Sequence, residues 1–318
     1  MSGSFVTLAD YSAELAKKGK PDAAGIVNAL RQQNGLFDVL SFKECNDSGG
    51  VEKVPVEGNL PEVSWRILNR GTVSTKGSFK EVSFTCGSLE SFCRVDEKII
   101  EICGKEYGSS QNEGHLSAMS NKIATTFFYG DEAATPESFT GLAAYYPAVD
   151  NEQVFSAAGS GDSTTSIWFC SFGPRGLYGI YPRGVKCGFQ VHYNGIVNEE
   201  RDGLEIHSYE YQFTWDMGLA LYDPRSVARV LAVDPEAVDA SDMETAYTAL
   251  ASAYAATAAR PGETHVIFAN REALAYILKT AAFLGFDLQY FSFKGKIRPH
   301  LFGVPIMVCE SILNTEGA

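Results

Sequence analysis

Between residues 54 and 95 the chain reads as one long antiparallel hairpin with no room for a core of its own. Val63, Trp65 and Ile67 alternate with Glu62, Ser64 and Arg66, the period of an extended strand. Asn69, Arg70, Gly71 and Thr72, followed by Lys76, Gly77 and Ser78, supply turn residues, after which Phe79, Val82 and Phe84 resume the extended pattern. An isolated two-stranded ribbon is only marginally stable in water, so a ribbon this long, with so polar a tip, is expected to lie against something else. Arg66, Arg70, Lys76 and Lys80 concentrate positive charge on it, and Trp65 and Phe79 add aromatic area. Two readings stand side by side: a solvated edge ribbon, or a reaching arm whose cations meet carboxylates on a neighbour and set register more than affinity.

That charge stands out because the chain as a whole is acidic, with 39 Asp and Glu against 26 Lys and Arg and a net charge of −13. The averaged field repels phosphate, so contact with DNA is expected to be weak and non-specific. With 318 residues, 45% of them apolar, the chain can bury one large core or two smaller ones. Twenty Phe and 15 Tyr point to extensive buried or interfacial aromatic area, and a charged fraction of only 20% fits a chain that covers much of its surface with partners. The seven cysteines are odd in number, widely spread and without a C-x-x-C pair, and read as reduced, buried, small apolar residues. No apolar run reaches the ~18 residues of a membrane span and the first ten residues lack a leader pattern, so no membrane partner is expected and the protein is expected to be made and used in a cytoplasm.

Residues 7–34 have helical periodicity in two pieces broken at Lys18-Gly19-Lys20-Pro21, with Gly35 as the stop, and form a short arm. Ser110 and Glu113 have capping-box spacing, and Leu116, Met119, Ile123 and Phe127 then recur at helical spacing, predicting a helix over 111–129. Residues 131–162 are rich in loop signals. Residues 164–222 read as strands at 166–170, 177–181 and 204–222, with 181–210 as a strand pair or a small decoration. From Asp223 the pattern alternates helix and strand: a helix capped by Ser241 and Glu244, a short strand 265–268, a helix capped by Asn270 and closed by Gly285, and extended segments 286–293 and 304–309. The 223–304 block is expected to be a compact α/β unit separate from the β-rich middle.

Motifs of catalysis are missing: there is no G-x-S-x-G, H-E-x-x-H, Walker loop or EF-hand. Gly159-Ser160-Gly161-Asp162 resembles the start of a phosphate loop but precedes a strand rather than a helix, and reads as a connector. His207 and His265 fall in strand patterns, where a hydrogen-bonded structural histidine is the ordinary case. Asp216, Asp223 and Asp234 are scattered, and the last two read as turn or helix-start residues. A cytoplasmic enzyme would draw first on Asp223, His265 and Asp287 in the α/β block. A ligand-binding module would draw on Trp168, Tyr181 or Trp215. No cofactor or metal is implied.

The element order is that of the Hong-Kong-97-type fold of tailed-bacteriophage capsids, and particular strings strengthen the likeness. Residues 56–61, Val-Glu-Gly-Asn-Leu-Pro, running into 63–71, Val-Ser-Trp-Arg-Ile-Leu-Asn-Arg-Gly, resemble the hairpin entry of a podovirus-type major capsid family. Thr85-Cys86-Gly87 with Glu90, Val95 and Asp96 are similar to its return arm, and Phe128-Tyr129-Gly130-Asp131 with Phe139-Thr140-Gly141-Leu142-Ala143 to its helix exit. Ser166-Ile167-Trp168, Gly173-Pro174, the run 179–184, Trp215-Asp216-Met217-Gly218-Leu219, Gly303-Val304-Pro305 and Leu313-Asn314-Thr315-Glu316 are alike in kind and order. The likeness extends from about Asn28 to the end of the sequence.

The resemblance implies an α+β capsid fold with residues 1–53 as N-terminal arm, 54–96 as E-loop and 97–222 as P-domain with its spine helix at 111–129. It assigns 223–304 to the A-domain and 305–318 to a return into the P-domain. It implies a major capsid protein that assembles into the hexamers and pentamers of an icosahedral head enclosing double-stranded DNA, built in the bacterial cytoplasm and resident in the virion. Intersubunit contacts would then fall on Trp65, Arg66, Arg70, Lys76, Phe79 and Lys80. No long charged helix precedes the arm, so a separate scaffolding protein is expected beside the portal. No Lys–Asn crosslinking pair can be matched, so strength is expected from arm, hairpin and aromatic contacts or from a cement protein.

Overall fold

The computed structural model describes residues 6–7, 13, 34–57, 61–66, 68–159, 163–201, 203–237, 239–258 and 260–316. The helices expected in 7–34 and the tip of the Gly159-Ser160-Gly161-Asp162 connector lie outside these residues, except that Val6 and Thr7 form a short strand. In chain order the strands are β1 Val6–Thr7, β2 Ser41–Glu44, β3 Val51–Glu57, β4 Phe79–Asp96, β5 Val154–Ser156, β6 Thr165–Phe172, β7 Leu177–Tyr181, β8 Gln190–Arg201, β9 Leu204–Leu221, β10 Val227–Val233, β11 Thr264–Ala269, β12 Gln289–Phe293, β13 Lys296–Leu301 and β14 Val304–Val308. The helices are α1 Leu36–Val39, α2 Glu97–Cys103, α3 Lys105–Tyr129, α4 Leu142–Tyr145, α5 Ala240–Ala256 and α6 Arg271–Leu284.

One continuous ladder runs β12-β13-β14-β11-β6-β7-β9-β4-β3. Strand β6 is its pivot and is buried along its whole length. Because successive strand side chains point to opposite faces, Trp168, Cys170 and Phe172 enter one apolar cluster while Ile167 and Phe169 enter another. Strand β11 divides in the same way, with Val266 and Phe268 on the first side and Ile267 and Ala269 on the second. Helices α5 and α6 cover the second side; α3 and the hairpin root cover the first. The 223–304 block thus has an apolar cluster on its helical side, but it is not separate: β10 and β11 both pair antiparallel with β6 of the β-rich middle.

Helix α3 is longer than expected. It holds 25 residues, a rod of about 37 Å at 1.5 Å per residue. The chain is already helical at Ser110, so the capping-box spacing there does not start a helix. The break falls at Gly104, whose φ of 84° and ψ of 168° separate α2 from α3. Leu116, Met119, Ile123 and Phe127 are buried as their spacing implies, joined by Ala124 and Phe128. Ser241 likewise lies inside α5, whose N-cap is Asp239, and Gly35 is the N-cap of the turn α1. At α6 both signals hold: the Asn270 side chain accepts from the Ala273 N–H, and Gly285 closes the helix in the left-handed conformation.

Strands β1, β2, β5, β10 and β13 escaped the sequence reading, and β8 was read only in part. Residues 190–201 form β8, which pairs with β9 through the turn at Gly203, so the 181–210 region is a strand pair. Strand β13 folds back on β12 through Lys294 and Gly295, both at positive φ, the conformation that two-residue hairpin turns favour.

Candidate interaction surface

The hairpin is real, but its ladder lies nearer the body than the alternation of residues 62–67 suggests. Strand β3 pairs with the first part of β4 from Val51↔Thr85 out to Glu57↔Phe79. At Cys86 strand β4 changes partner and runs against β9 as far as Asp96↔Ser208. Gly218 of β9 sits at this crossing, and a Cβ there would strike the Thr85 carbonyl oxygen, so the three strands meet only because that position is glycine. The described residues between 61 and 78 are irregular in the isolated chain rather than stranded.

A buried carboxylate fastens the root. Glu52 is 1% exposed; it accepts from Lys43 Nζ at 2.5 Å and from the Asn46 N–H at 2.8 Å, and Tyr178 Oη donates to it at 3.3 Å. Val54 and Phe84 bury their side chains beside it. This anchor was not read from the sequence, because Lys43, Glu52 and Tyr178 come together only through the pairing of β2 with β7 and of β3 with β4.

Beyond the root every described residue from Pro61 to Glu81 is exposed. Trp65 is fully exposed at 101%, Val63 at 93%, Leu68 at 92% and Phe79 at 71%. Single exposed apolar side chains are ordinary, whereas several on one extended arm are the composition of a contact surface. The six expected contact residues, Trp65, Arg66, Arg70, Lys76, Phe79 and Lys80, all lie on this arm. Its internal bonds are few: Thr75 Oγ1 donates to the Glu62 carbonyl at 2.6 Å and Arg66 Nε to the Arg70 carbonyl at 3.1 Å. None of the four cations has a carboxylate partner among the described residues. A second apolar ribbon, not foreseen from the sequence, exposes Tyr290, Phe291 and Ile297 on β12 and β13.

The residues of the rival readings are engaged elsewhere. Trp168 and Trp215 are buried in the core and Tyr181 partly so, which closes the route to a stacking platform for a ligand. Asp287 is exposed on the loop after α6. His265 faces the Ser171 position of β6, and burial holds its imidazole below the ordinary value. The described residues contain no group of three His, Cys, Asp or Glu side chains able to hold a metal ion.

Asp223 is a structural clamp. Its carboxylate accepts from the Arg225 N–H at 2.9 Å and from Arg225 Nε at 3.1 Å, and it is bonded to Arg260 Nη2. Burial would raise its pKa, but the hydrogen bonds from Arg225 and the two guanidinium charges outweigh it and hold the carboxyl below its usual value. A carboxyl held low contributes stability above its unfolded pKa of about 3.9 and loses it as pH falls through the lower folded value. Asp223→Asn should therefore reduce the urea midpoint at pH 7, with the gap to the parent closing below roughly pH 4. A gap independent of pH would show that the charge plays no part.

The model of the family described as major capsid protein GP7 matches residues 17–318. Among solved structures, a chain of the near-atomic-resolution structure of bacteriophage Epsilon15 is 27% identical, with 88% of each chain covered and a TM-score of 0.62. A chain of the bacteriophage JBD30 capsid is 9% identical over 87% of this chain and 90% of that one, with a TM-score of 0.49. The SrpI encapsulin complex of Synechococcus elongatus PCC 7942 has a chain 11% identical over 64% of this chain and 89% of that one, with a TM-score of 0.46. No curated protein matches the chain.

Proposed function

The chain belongs to the GP7 family of major capsid proteins, and from that premise we propose how its parts divide the building of a shell. It is a phage capsid shell protein of Hong-Kong-97-type fold, structural rather than enzymatic, that self-assembles and resides in the virion.

The proposed division takes residues 1–53 as the arm, 54–96 as the E-loop and 97–222 as the P-domain with α3 as its spine. It takes 223–304 as the A-domain at capsomer centres and 305–318 as the return to the P-domain. The observation that carries it is the arm from 61 to 81, rooted on Glu52 and exposed at every described residue. Its Trp65, Val63, Leu68 and Phe79 gain burial, and its four cations gain carboxylates, when the arm lies on a neighbouring copy whose net charge is −13. Closed shells need one chain to sit in pentamers and hexamers of differing curvature, and an arm without core contacts absorbs such differences without disturbing the β6 pivot.

A separate scaffolding protein would guide the curvature, the portal would occupy one vertex, and assembly would take place in the host cytoplasm. A cement protein, or the arm and aromatic contacts alone, would supply strength. The negative net charge keeps the wall from adhering to packed double-stranded DNA. Mass photometry and negative-stain microscopy of the purified full-length chain test the proposal. Masses of pentamers and hexamers, together with closed shells, are expected. A chain that stays monomeric or dimeric at every concentration and salt would overturn it.

A further inference from the structure

Cys45 follows β2 and Cys86 lies on β4 where that strand changes partner. Their Sγ atoms are 3.6 Å apart although the residues are 41 positions apart in sequence. Among the described cysteines no other pair is in sulfur contact. Both backbones are held in place: the Cys45 N–H donates to the Tyr181 carbonyl and the Cys86 N–H to the Gly50 carbonyl, each at 2.9 Å. Cys86 is also the ladder partner of Gly218. The sulfurs, already in contact at 3.6 Å, have about 1.5 Å left to close to the roughly 2.05 Å of a disulfide. Cys45 is buried and Cys86 only partly so. The hydrogen bond from Cys86 holds the Cys45 thiol below its ordinary value, more than offsetting burial and the nearby Glu52 carboxylate.

We propose that Cys45 and Cys86 form an intrachain disulfide when the protein meets a peroxide, stapling the root of the exposed arm to the body of its own subunit. The Cys45 thiolate attacks one oxygen of hydrogen peroxide; the O–O bond breaks, hydroxide leaves and a sulfenic acid remains. Cys86 sulfur then attacks the sulfenic sulfur, forming the S–S bond as the hydroxyl departs with the Cys86 proton as water. The balance is two thiols and one peroxide giving one disulfide and two waters. The bond closes the loop that contains the whole arm, so a subunit that leaves a reducing cell and is oxidised keeps its arm covalently attached even when the arm is cut.

That consequence supplies the test. Trypsin is expected to cut the exposed arm at Arg66, Arg70 or Lys76, which separates Cys45 from Cys86 on two fragments. After hydrogen peroxide treatment of the full-length chain and capping of the remaining thiols, the two fragments should run as one band without reductant and as two with dithiothreitol. Peptide mapping should find the 45–86 bridge. C45S and C86S should each give two bands under both conditions while keeping the parent's circular dichroism; C86S is the safer variant because that side chain is only partly buried. Fragments that separate after oxidation of the parent, a bridge that persists in C86S, or oxidation that ends in sulfinic acid at Cys45 would each overturn the proposal.

Discussion

Replacing Arg66 and Arg70 together with glutamate is expected to abolish shell assembly while leaving the subunit folded. Both side chains lie on the exposed arm and neither has a carboxylate partner among the described residues, so the effect on folding should stay within about 0.5 kcal/mol, as for surface positions without special contacts. At the proposed shell contact the same change would turn two attractive charges per copy into repulsive ones against a neighbour of net charge −13. Like charges brought together at an interface cost several kcal/mol, and the loss recurs at every copy. Native mass spectrometry and negative-stain microscopy should show folded subunits with the parent's urea midpoint and no closed particles. Normal shells from the double variant would sink the role given to these arginines. Trp65→Ala isolates the apolar part of the contact. A central aromatic anchor typically carries about 2 kcal/mol or more, so this variant should raise the concentration needed for assembly by more than tenfold, again without loss of subunit stability.

The hairpin was legible because its message is local. Alternation, turn residues and a cluster of cations lie within a few dozen positions, and the deduction that it lacks a core follows from length alone. The buried face of α3 and the cap and stop of α6 were legible for the same reason. Local signals misled where a stronger neighbour overrode them. Ser110 and Ser241 have cap-like spacing, yet each lies in a helix that starts further upstream, after Gly104 and Asp239 respectively. The described residues of the alternation at 62–67 form no ladder because the pairing available to β3 ends at Glu57 opposite Phe79. Strand β13 was passed over although Lys294-Gly295 between Phe293 and Ile297 is a two-residue turn signal. What the sequence could not display is contact between distant residues. Glu52 and Lys43 look like two surface charges until β2 and β3 converge, and the 223–304 block looks independent until β10 and β11 are seen to share β6.

Another such contact joins the end of the described chain to its centre, and it sets the second major expectation: Glu316→Ala should destabilise the unassembled subunit by about 3–5 kcal/mol, the usual cost of removing one member of a buried ion pair. Glu316 and Arg229 side chains are each 6% exposed and their atoms are 2.9 Å apart. Arg229 also donates from Nε to Ser166 Oγ at 3.0 Å and from Nη1 to the Tyr146 carbonyl at 2.8 Å, and its guanidinium lies 4.7 Å from the centre of the Trp168 ring. Tyr129, the last residue of α3, donates its hydroxyl to Glu316 and accepts from the Leu313 N–H at 3.0 Å; burial, then the Glu316 charge, pushes its phenol well above the ordinary value. One carboxylate therefore fastens the long helix, the β6 pivot and β10 together, and its removal leaves a guanidinium buried without its counter-charge. Glu316→Gln keeps an acceptor and the side-chain volume and should lose less than the alanine variant. The pair Arg229→Met with Glu316→Leu removes both charges and should recover much of the loss, because the cost lies in the uncompensated ion rather than in the missing attraction. Urea unfolding of the four proteins separates these outcomes. A loss below about 1 kcal/mol for Glu316→Ala, the worth of an ordinary hydrogen bond, would mean that packing alone holds the three elements together.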